Sequence, residues 1–223
     1  VFGFIERPLY RLLGTNPAQG MTWRGYATAF ALSNLIVGGL VWVLFMTQAW
    51  LPLNPDAIPN MRWDTALHTM VSFLTNTNQQ HYSGQAQLSY LSQMVGIVGL
   101  QVITPMMGLA LVVATLRALV GGRQAMTAVG APTATAGGDA DVGNYWADLI
   151  RPTLRFMLPL CLLWSVLLTS QGVPSTLAAG PVATPVDASA GMKEQKIPLG
   201  PVAPMVAAKQ LGTNGGGWYG PNS

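Results

Sequence analysis

An all-α chain that crosses a membrane several times is the fold class this sequence predicts, on three observations. Only 9% of the 223 residues are charged and 50% are hydrophobic, where a soluble domain carries about 25% charged residues. Mean hydropathy is +0.37. Three apolar segments are long enough for helices that span a bilayer core, which takes about 20 residues. Two other apolar segments are too short to cross. Each of these ends in an uncharged polar string, Thr75-Asn76-Thr77-Asn78 in one case and Thr213-Asn214-Gly215-Gly216-Gly217 in the other.

Residues 1–25 carry Arg7, Arg11 and Arg24 and lead into the first span, 26–50, where Trp42 and Trp50 suit the membrane interface. Pro52, Pro55 and Pro59 then break helix. Asp64 is the expected N-cap of a short helix over 64–74, in which Ala66, Leu67, Met70, Val71, Phe73 and Leu74 recur at helical spacing. After the first string the chain returns to a second span, 91–120. Its Gln93, Gln101 and Thr104-Pro105 are expected to face protein or water, because they are costly against lipid. The loop 121–153 has a low-complexity middle rich in Ala, Gly and Thr, and 141–149 reads as a short amphipathic helix. The third span, 154–169, has Pro152 and Pro159 near its start. A buried helix of a soluble core is its competing reading, which the low charge content opposes. The stretch 170–203 is rich in Pro, Ala and Gly and is expected to be mostly irregular. Pro204 suits the first turn of a second short helix, 204–211, and Gly212 suits its stop.

Basic residues orient the spans. Arg7, Arg11, Arg24, Arg117, Arg123, Arg151 and Arg155 fall on one side of a chain that crosses outward and returns, leaving Arg62, Lys193, Lys196 and Lys209 on the other. The positive-inside rule makes 1–25 and 121–153 cytoplasmic and places the loops with both polar strings outside. No run of Lys or Arg suggests nucleic-acid binding. The single cysteine, Cys161, excludes an intrachain disulfide and a cysteine-pair metal site. A chain starting at Val1, with a polar string just before Ser223, reads as a piece of a longer protein.

The short helices point to a cation. Ten residues at 1.5 Å make about 15 Å, half of a hydrocarbon core of roughly 30 Å. Such a helix enters the membrane and must turn back, and irregular backbone at that depth survives only against protein or water. Its C-terminus carries partial negative charge. Hydroxyls, amides and glycine-rich backbone there offer the ringed oxygens that replace an ion's hydration shell. Blander readings exist. The first string also reads as a polar turn on an outer loop, which its length, depth and repetition oppose. The second reads as a phosphate loop, although it lacks the Gly-Lys-Ser/Thr ending. His68 is expected as a packed helix residue with no second histidine near it, His81 lying beyond the turn. Lys209 would either repel cations at the mouth or snorkel to the interface. Gln80, Tyr82 and Ser83 would line the returning segment or pack.

The segments Leu51-Pro52-Leu53-Asn54-Pro55, Val71-Ser72-Phe73-Leu74-Thr75-Asn76-Thr77-Asn78, Tyr82-Ser83-Gly84, Leu88-Ser89-Tyr90, Ser92-Gln93-Met94 and Leu211-Gly212-Thr213-Asn214-Gly215-Gly216-Gly217 together resemble the KdpA family. These are the potassium-binding subunits of bacterial Kdp potassium-transporting ATPases. The resemblance runs from near Gly3 to Ser223 and is loosest over 121–143 and 170–198. It implies potassium-channel-like helix–pore-helix–helix repeats, of which this fragment would hold about one and a half. The first unit would be 26–120, with spans 26–50 and 91–120, pore helix 64–74 and filter strand 75–78. The partial second unit would be 154–223, with span 154–169, outer loop 170–203, pore helix 204–211 and filter strand 213–217.

By the same resemblance Thr75, Asn76 and Thr77 fall in one potassium-filter strand and Thr213, Asn214 and Gly215 in another, with Asn222 just beyond. Asn78 and Gly216 complete the candidate filter residues, and Gln80 and Asn222 are the candidate pore rim. Gln79 stands where the family usually has an aromatic residue, and Trp218-Tyr219 where it has two Phe, which leaves the rim geometry open. The implied function is to bind extracytoplasmic potassium as the ion-binding subunit of an ATP-driven import complex in a bacterial inner membrane. The chain shows neither a nucleotide loop nor an Asp in a Lys-Thr-Gly-Thr context, so ATP would be used by a partner. The resemblance implies KdpB, KdpC and KdpF as partners besides membrane lipid. The alternative is the pore subunit of a Trk- or Ktr-type potassium channel or symporter. Two filter strands of four do not enclose an ion, so this piece alone is expected to bind potassium negligibly.

Overall fold

The structure, a computed structural model, describes residues 2–124, 141–187, 189 and 191–220. It is mostly helical. In chain order the elements are α1 (Gly3–Leu12), α2 (Trp23–Thr47), α3 (Trp63–Leu74), α4 (Gly84–Gln87), α5 (Gly99–Gln124), α6 (Tyr145–Pro152), α7 (Leu158–Ser170), β1 (Val182–Ala183), β2 (Gln195–Lys196) and α8 (Val202–Leu211). A 3-10 turn, Gln48–Trp50, ends α2. Wider π-helical stretches, Ser92–Val98 and Thr153–Met157, lead into α5 and join α6 to α7. Three continuous helical runs are long and apolar enough to cross a membrane: Trp23–Trp50, Ser92–Val120 and Tyr145–Ser170. The chain is thus an all-α multi-pass membrane protein, and its one sheet among the described residues is the antiparallel pair β1–β2.

The third run starts at Tyr145, within the 141–149 stretch read as a short amphipathic helix, and continues without a break into the span expected from 154. Asn144 provides the start, its side chain accepting from the Ala147 N–H at 3.1 Å. The helix then passes both prolines without stopping. Pro159 lacks an N–H and its ring crowds the carbonyl four residues back, and the π-helical widening over Thr153–Met157 gives that carbonyl room. The expected N-cap of α3, Asp64, is corrected by two residues to Arg62. The helix begins at Trp63, and Asp64 sits inside its first turn. The Asp64 carboxylate accepts from the Thr65 N–H at 2.8 Å, and this bond holds it below the usual carboxylate range. A negative group there still complements the helix dipole.

The chain divides into two compact units, Val1–Val37 with Ile103–Pro159, and Gly38–Val102 with Leu160–Ser223. The first is built on Tyr26, Ala29, Ala110, Ala114, Val142 and Tyr145. The Tyr26 and Tyr145 rings meet edge to face at 5.3 Å. The Tyr26 hydroxyl donates to Ala110 O at 2.7 Å, and the Tyr145 hydroxyl shares a hydrogen bond with Ser33 Oγ at 2.6 Å. Small alanines let the helices close on these two rings, and each buried hydroxyl finds a partner. Arg117 holds Asp148 through its two terminal guanidinium nitrogens. Arg155 grips the buried Glu6 in the same two-pronged way, at 2.6 and 2.8 Å.

The second unit contains α3, α8 and both polar strings. Its upper loops are tied down by amides. Gln48, fully buried, donates to Pro59 O and Gln87 O and accepts from the Ser89 N–H at 3.0 Å. Asn54 clasps both backbone groups of Ile58. This clasp accommodates Leu53 and Ala57 at positive φ within the proline-rich turn. Tyr90 packs edge to face on Trp218 at 5.5 Å, and its hydroxyl donates to Ala178 O.

Candidate functional site

Both short helices are present, with 12 residues in α3 and 10 in α8. At 1.5 Å per residue they are about 18 and 15 Å long, too short to cross a core of roughly 30 Å. Each has a buried face: Ala66, Thr69, Met70, Ser72 and Phe73 on α3, and Val202, Ala203, Met205, Ala207, Ala208 and Lys209 on α8. A polar string follows each directly.

The two strings share one backbone device. After α3 the N–H groups fold back on the helix end. Thr75 N–H donates to Val71 O at 2.9 Å, and Asn76 N–H to Phe73 O. Thr77 and Asn78 N–H both donate to Ser72 O, at 2.8 and 3.1 Å. Gln79 N–H reaches Ser72 Oγ at 2.6 Å. After α8, Thr213 N–H donates to Gln210 O and Gly215 N–H to Lys209 O at 3.0 Å. Positive φ makes this possible, at Asn76 (60°), Asn78 (59°), Thr213 (69°), Gly215 (68°) and Gly216 (85°). Asparagine and glycine tolerate that region, whereas a β-branched threonine is held there by its surroundings. Among the described residues, the carbonyls of Thr75, Thr77, Asn78, Thr213, Asn214, Gly215 and Gly216 accept no hydrogen bond. Donors are turned inward and acceptors are left for something else.

Side chains join the strings across the sequence. Asn214 Nδ2 donates to Asn76 Oδ1 and to Gln101 Oε1, both at 2.6 Å. Gln101 Nε2 donates to Asn78 Oδ1 at 3.0 Å, and Asn76 Nδ2 lies 3.5 Å from Thr213 Oγ1. Gln101, at the start of α5, is fully buried and bridges both strings. Gln93 is equally buried and donates to Trp218 O at 3.2 Å, so both span glutamines face protein. Gly212 comes so close to α5 that a Cβ would meet Gln101 O at 2.4 Å. Gly84 seals the returning segment, with its N–H on Tyr219 O at 2.8 Å and no room for a Cβ against Trp218 O.

The structure therefore brings Asn76, Asn78, Thr213 and Asn214 into one network. Thr75 and Thr77 remain exposed, their hydroxyls 2.9 Å apart. Gln80 is half-buried and takes no part in the network among the described residues, and Asn222 lies outside those residues. Two expectations are corrected. The His68 and His81 rings are neighbours, with centroids 4.6 Å apart, because the string reverses the chain over α3. Lys209 neither faces an opening nor snorkels. It is fully buried, with Nζ on Gly217 O at 3.0 Å and 5.7 Å from the Phe73 ring centroid. Gln101 is the residue that sequence reasoning passed over as a site member, and an amide inside an apolar span was its signal.

The family model described as "Potassium-transporting ATPase A subunit", KdpA, matches residues 1–223. The chain belongs to the KdpA family. Similar curated proteins bear the name potassium-transporting ATPase potassium-binding subunit. One from Pseudomonas putida is 43% identical over 223 residues, covering 100% of this chain and 36% of its own length. One from Pseudomonas aeruginosa is 43% identical over 219 residues, covering 98% and 36%. A third, from Alicyclobacillus acidocaldarius, is 44% identical over 219 residues with the same coverage. The chain thus spans little more than a third of the length of these KdpA relatives, and what is folded here is one part of a KdpA-type subunit.

Proposed function

We propose that this chain supplies two strands of the potassium selectivity filter in the ion-binding subunit of an ATP-driven potassium import complex. The observation that carries the reading is the shared backbone device. In both strings N–H groups turn back to a helix C-terminus, while among the described residues the carbonyls of Thr75, Thr77, Asn78, Thr213, Asn214, Gly215 and Gly216 accept no protein hydrogen bond, and an amide network fixes one string against the other. Carbonyl dipoles in such an array replace an ion's hydration shell. The strings contain no carboxylate, so discrimination rests on oxygen number and spacing rather than net charge.

Thr75, Asn76, Thr77, Asn78, Thr213, Asn214, Gly215 and Gly216 are the proposed ion-facing residues. The three asparagine side chains act inward, holding the backbone, and the threonine hydroxyls and carbonyls act on the ion. The positive-inside rule supports strings that open to the extracytoplasmic side of the inner membrane. Potassium would enter there, shed water at the strings and pass to a partner. ATP hydrolysis belongs in that partner, the KdpB subunit of a complex completed by KdpC and KdpF. The names of the relatives favour this reading over a Trk- or Ktr-type channel or symporter, since they specify an ATPase.

The test is Gly215→Asp in the complete subunit, assembled with its partners. A carboxylate alters both the size and the field of the string, and the potassium concentration for half-maximal uptake should rise at least tenfold. Uptake with unchanged affinity would mean that the strings are scaffold and not filter.

A further inference from the structure

Lys209 is the only fully buried charged side chain among the described residues. No carboxylate pairs with it there, and burial of an unpaired ammonium is strongly disfavoured. Two contacts compensate it: the Gly217 carbonyl at 3.0 Å and the face of Phe73, 5.7 Å from the ring centroid. Both lie on the strings' own framework. Phe73 is in the last turn of α3, just before the first string, and Gly217 closes the second.

The same lysine also holds the second string through its backbone, since Lys209 O accepts the Gly215 N–H at 3.0 Å. One residue thus grips both ends of Gly215-Gly216-Gly217. Between those grips the backbone runs at positive φ, 68° at Gly215 and 85° at Gly216. A glycine run left to itself populates many conformations. The Gly217 carbonyl, engaged by the ammonium, is also withdrawn from the row of free acceptors that ends at Gly216.

We propose that Lys209 is a positioning residue for potassium recognition: its buried ammonium clips Gly217, locks the triglycine backbone in its ion-facing conformation and sets the end of the carbonyl row. This rests on the filter reading above. Removing the clip loosens oxygen spacing, which lowers affinity and discrimination without touching the ion directly.

The experiment uses Lys209→Met in the complete subunit assembled with its partners, with uptake of potassium and rubidium measured per assembled complex. The expected result is a rise of at least tenfold in the potassium KM, a maximal rate within about threefold of the parent, and a smaller potassium-to-rubidium preference. Lys209→Arg, which keeps a cationic donor, should restore the KM to within about threefold of the parent. If Lys209→Met does not assemble, Lys209→Gln, with its shorter neutral donor, takes its place under the same expectation. An unchanged KM and preference, or a KM that falls because a repelling charge has gone, overturns the clip. Gly215→Asp measured alongside separates the two ideas. If it weakens uptake affinity and Lys209→Met does not, the clip alone fails; if neither does, the filter reading fails with it.

Discussion

Replacing Gln101 by leucine gives a direct measure of how far the amide network controls the strings. The volume is nearly kept, but two hydrogen bonds disappear: the one accepted from Asn214 at 2.6 Å and the one donated to Asn78 at 3.0 Å. Asn214 retains its bond to Asn76 Oδ1. Asn78, only 6% exposed, loses the donor to its Oδ1, and no other described residue supplies one. A buried acceptor left without a partner costs about 1–3 kcal/mol. Asn78 relieves that cost only by moving the backbone whose carbonyls form the first string. If the displaced backbone is the ion-binding element, a comparable amount is lost from ion affinity. At about 1.4 kcal/mol per decade, this corresponds to a weakening of roughly 5- to 150-fold. The assay is the potassium dependence of uptake by the complete complex reconstituted in vesicles, normalised to assembled protein. Gln101→Glu loses the same donor to Asn78 and buries an unpaired carboxylate against its Oδ1, and should weaken affinity at least as much as leucine. A Gln101→Leu complex that assembles normally and holds its KM within twofold would refute the link between network and strings.

Two other outcomes concern the framework. Gly84→Ala forces a Cβ to within 2.8 Å of the Trp218 carbonyl, backbone that has little freedom to yield. It should destabilise the complex by about 1–3 kcal/mol, seen as a lower midpoint in thermal unfolding of purified protein; an unchanged midpoint would show that the exit of the second string is free to shift. In the other unit, the Arg155 guanidinium holds the Glu6 carboxyl below its ordinary value of 4.5, burial opposing it in part. Because the folded value is the lower one, the pair's contribution is fully present above about pH 4.5 and is lost as pH falls through the depressed value. Glu6→Gln should therefore lower the melting midpoint near neutral pH and flatten its decline in acid, and parallel melting curves for parent and variant would rule out this role.

The long spans, the two short helices and their polar strings were legible from apolar segment length and from helical spacing, because those are local properties of the chain. The network was not. Asn214 reaches Asn76 across 138 positions, and nothing in either neighbourhood specifies the other. Gln101 carried a partial signal, since an amide in an apolar span must face protein, but the direction of its two bonds is set by how α5 passes the strings. The neighbouring histidines were missed for a related reason: chain reversal over 75–80 brings His81 back on His68, and periodicity describes a helix face without saying what folds onto it. Lys209 was misplaced because a lysine near a helix end ordinarily reaches water, and only tertiary structure shows a carbonyl and an aromatic face in reach. The start of α3 shifted because Asp64 is as well used in the first turn as at the cap.

Ser72 gathers three successive amides: its carbonyl takes those of Thr77 and Asn78, and its hydroxyl takes that of Gln79. The first string is therefore mechanically one part with α3, hung from a single fulcrum, and any axial slide of that helix would carry the string with it undiminished. The second string hangs instead from a lysine, at a peptide oxygen and at the tip of a long side chain. The two sides of the site thus differ in compliance. One side moves as a rigid lever, and the other has a tether whose slack is set by four methylenes.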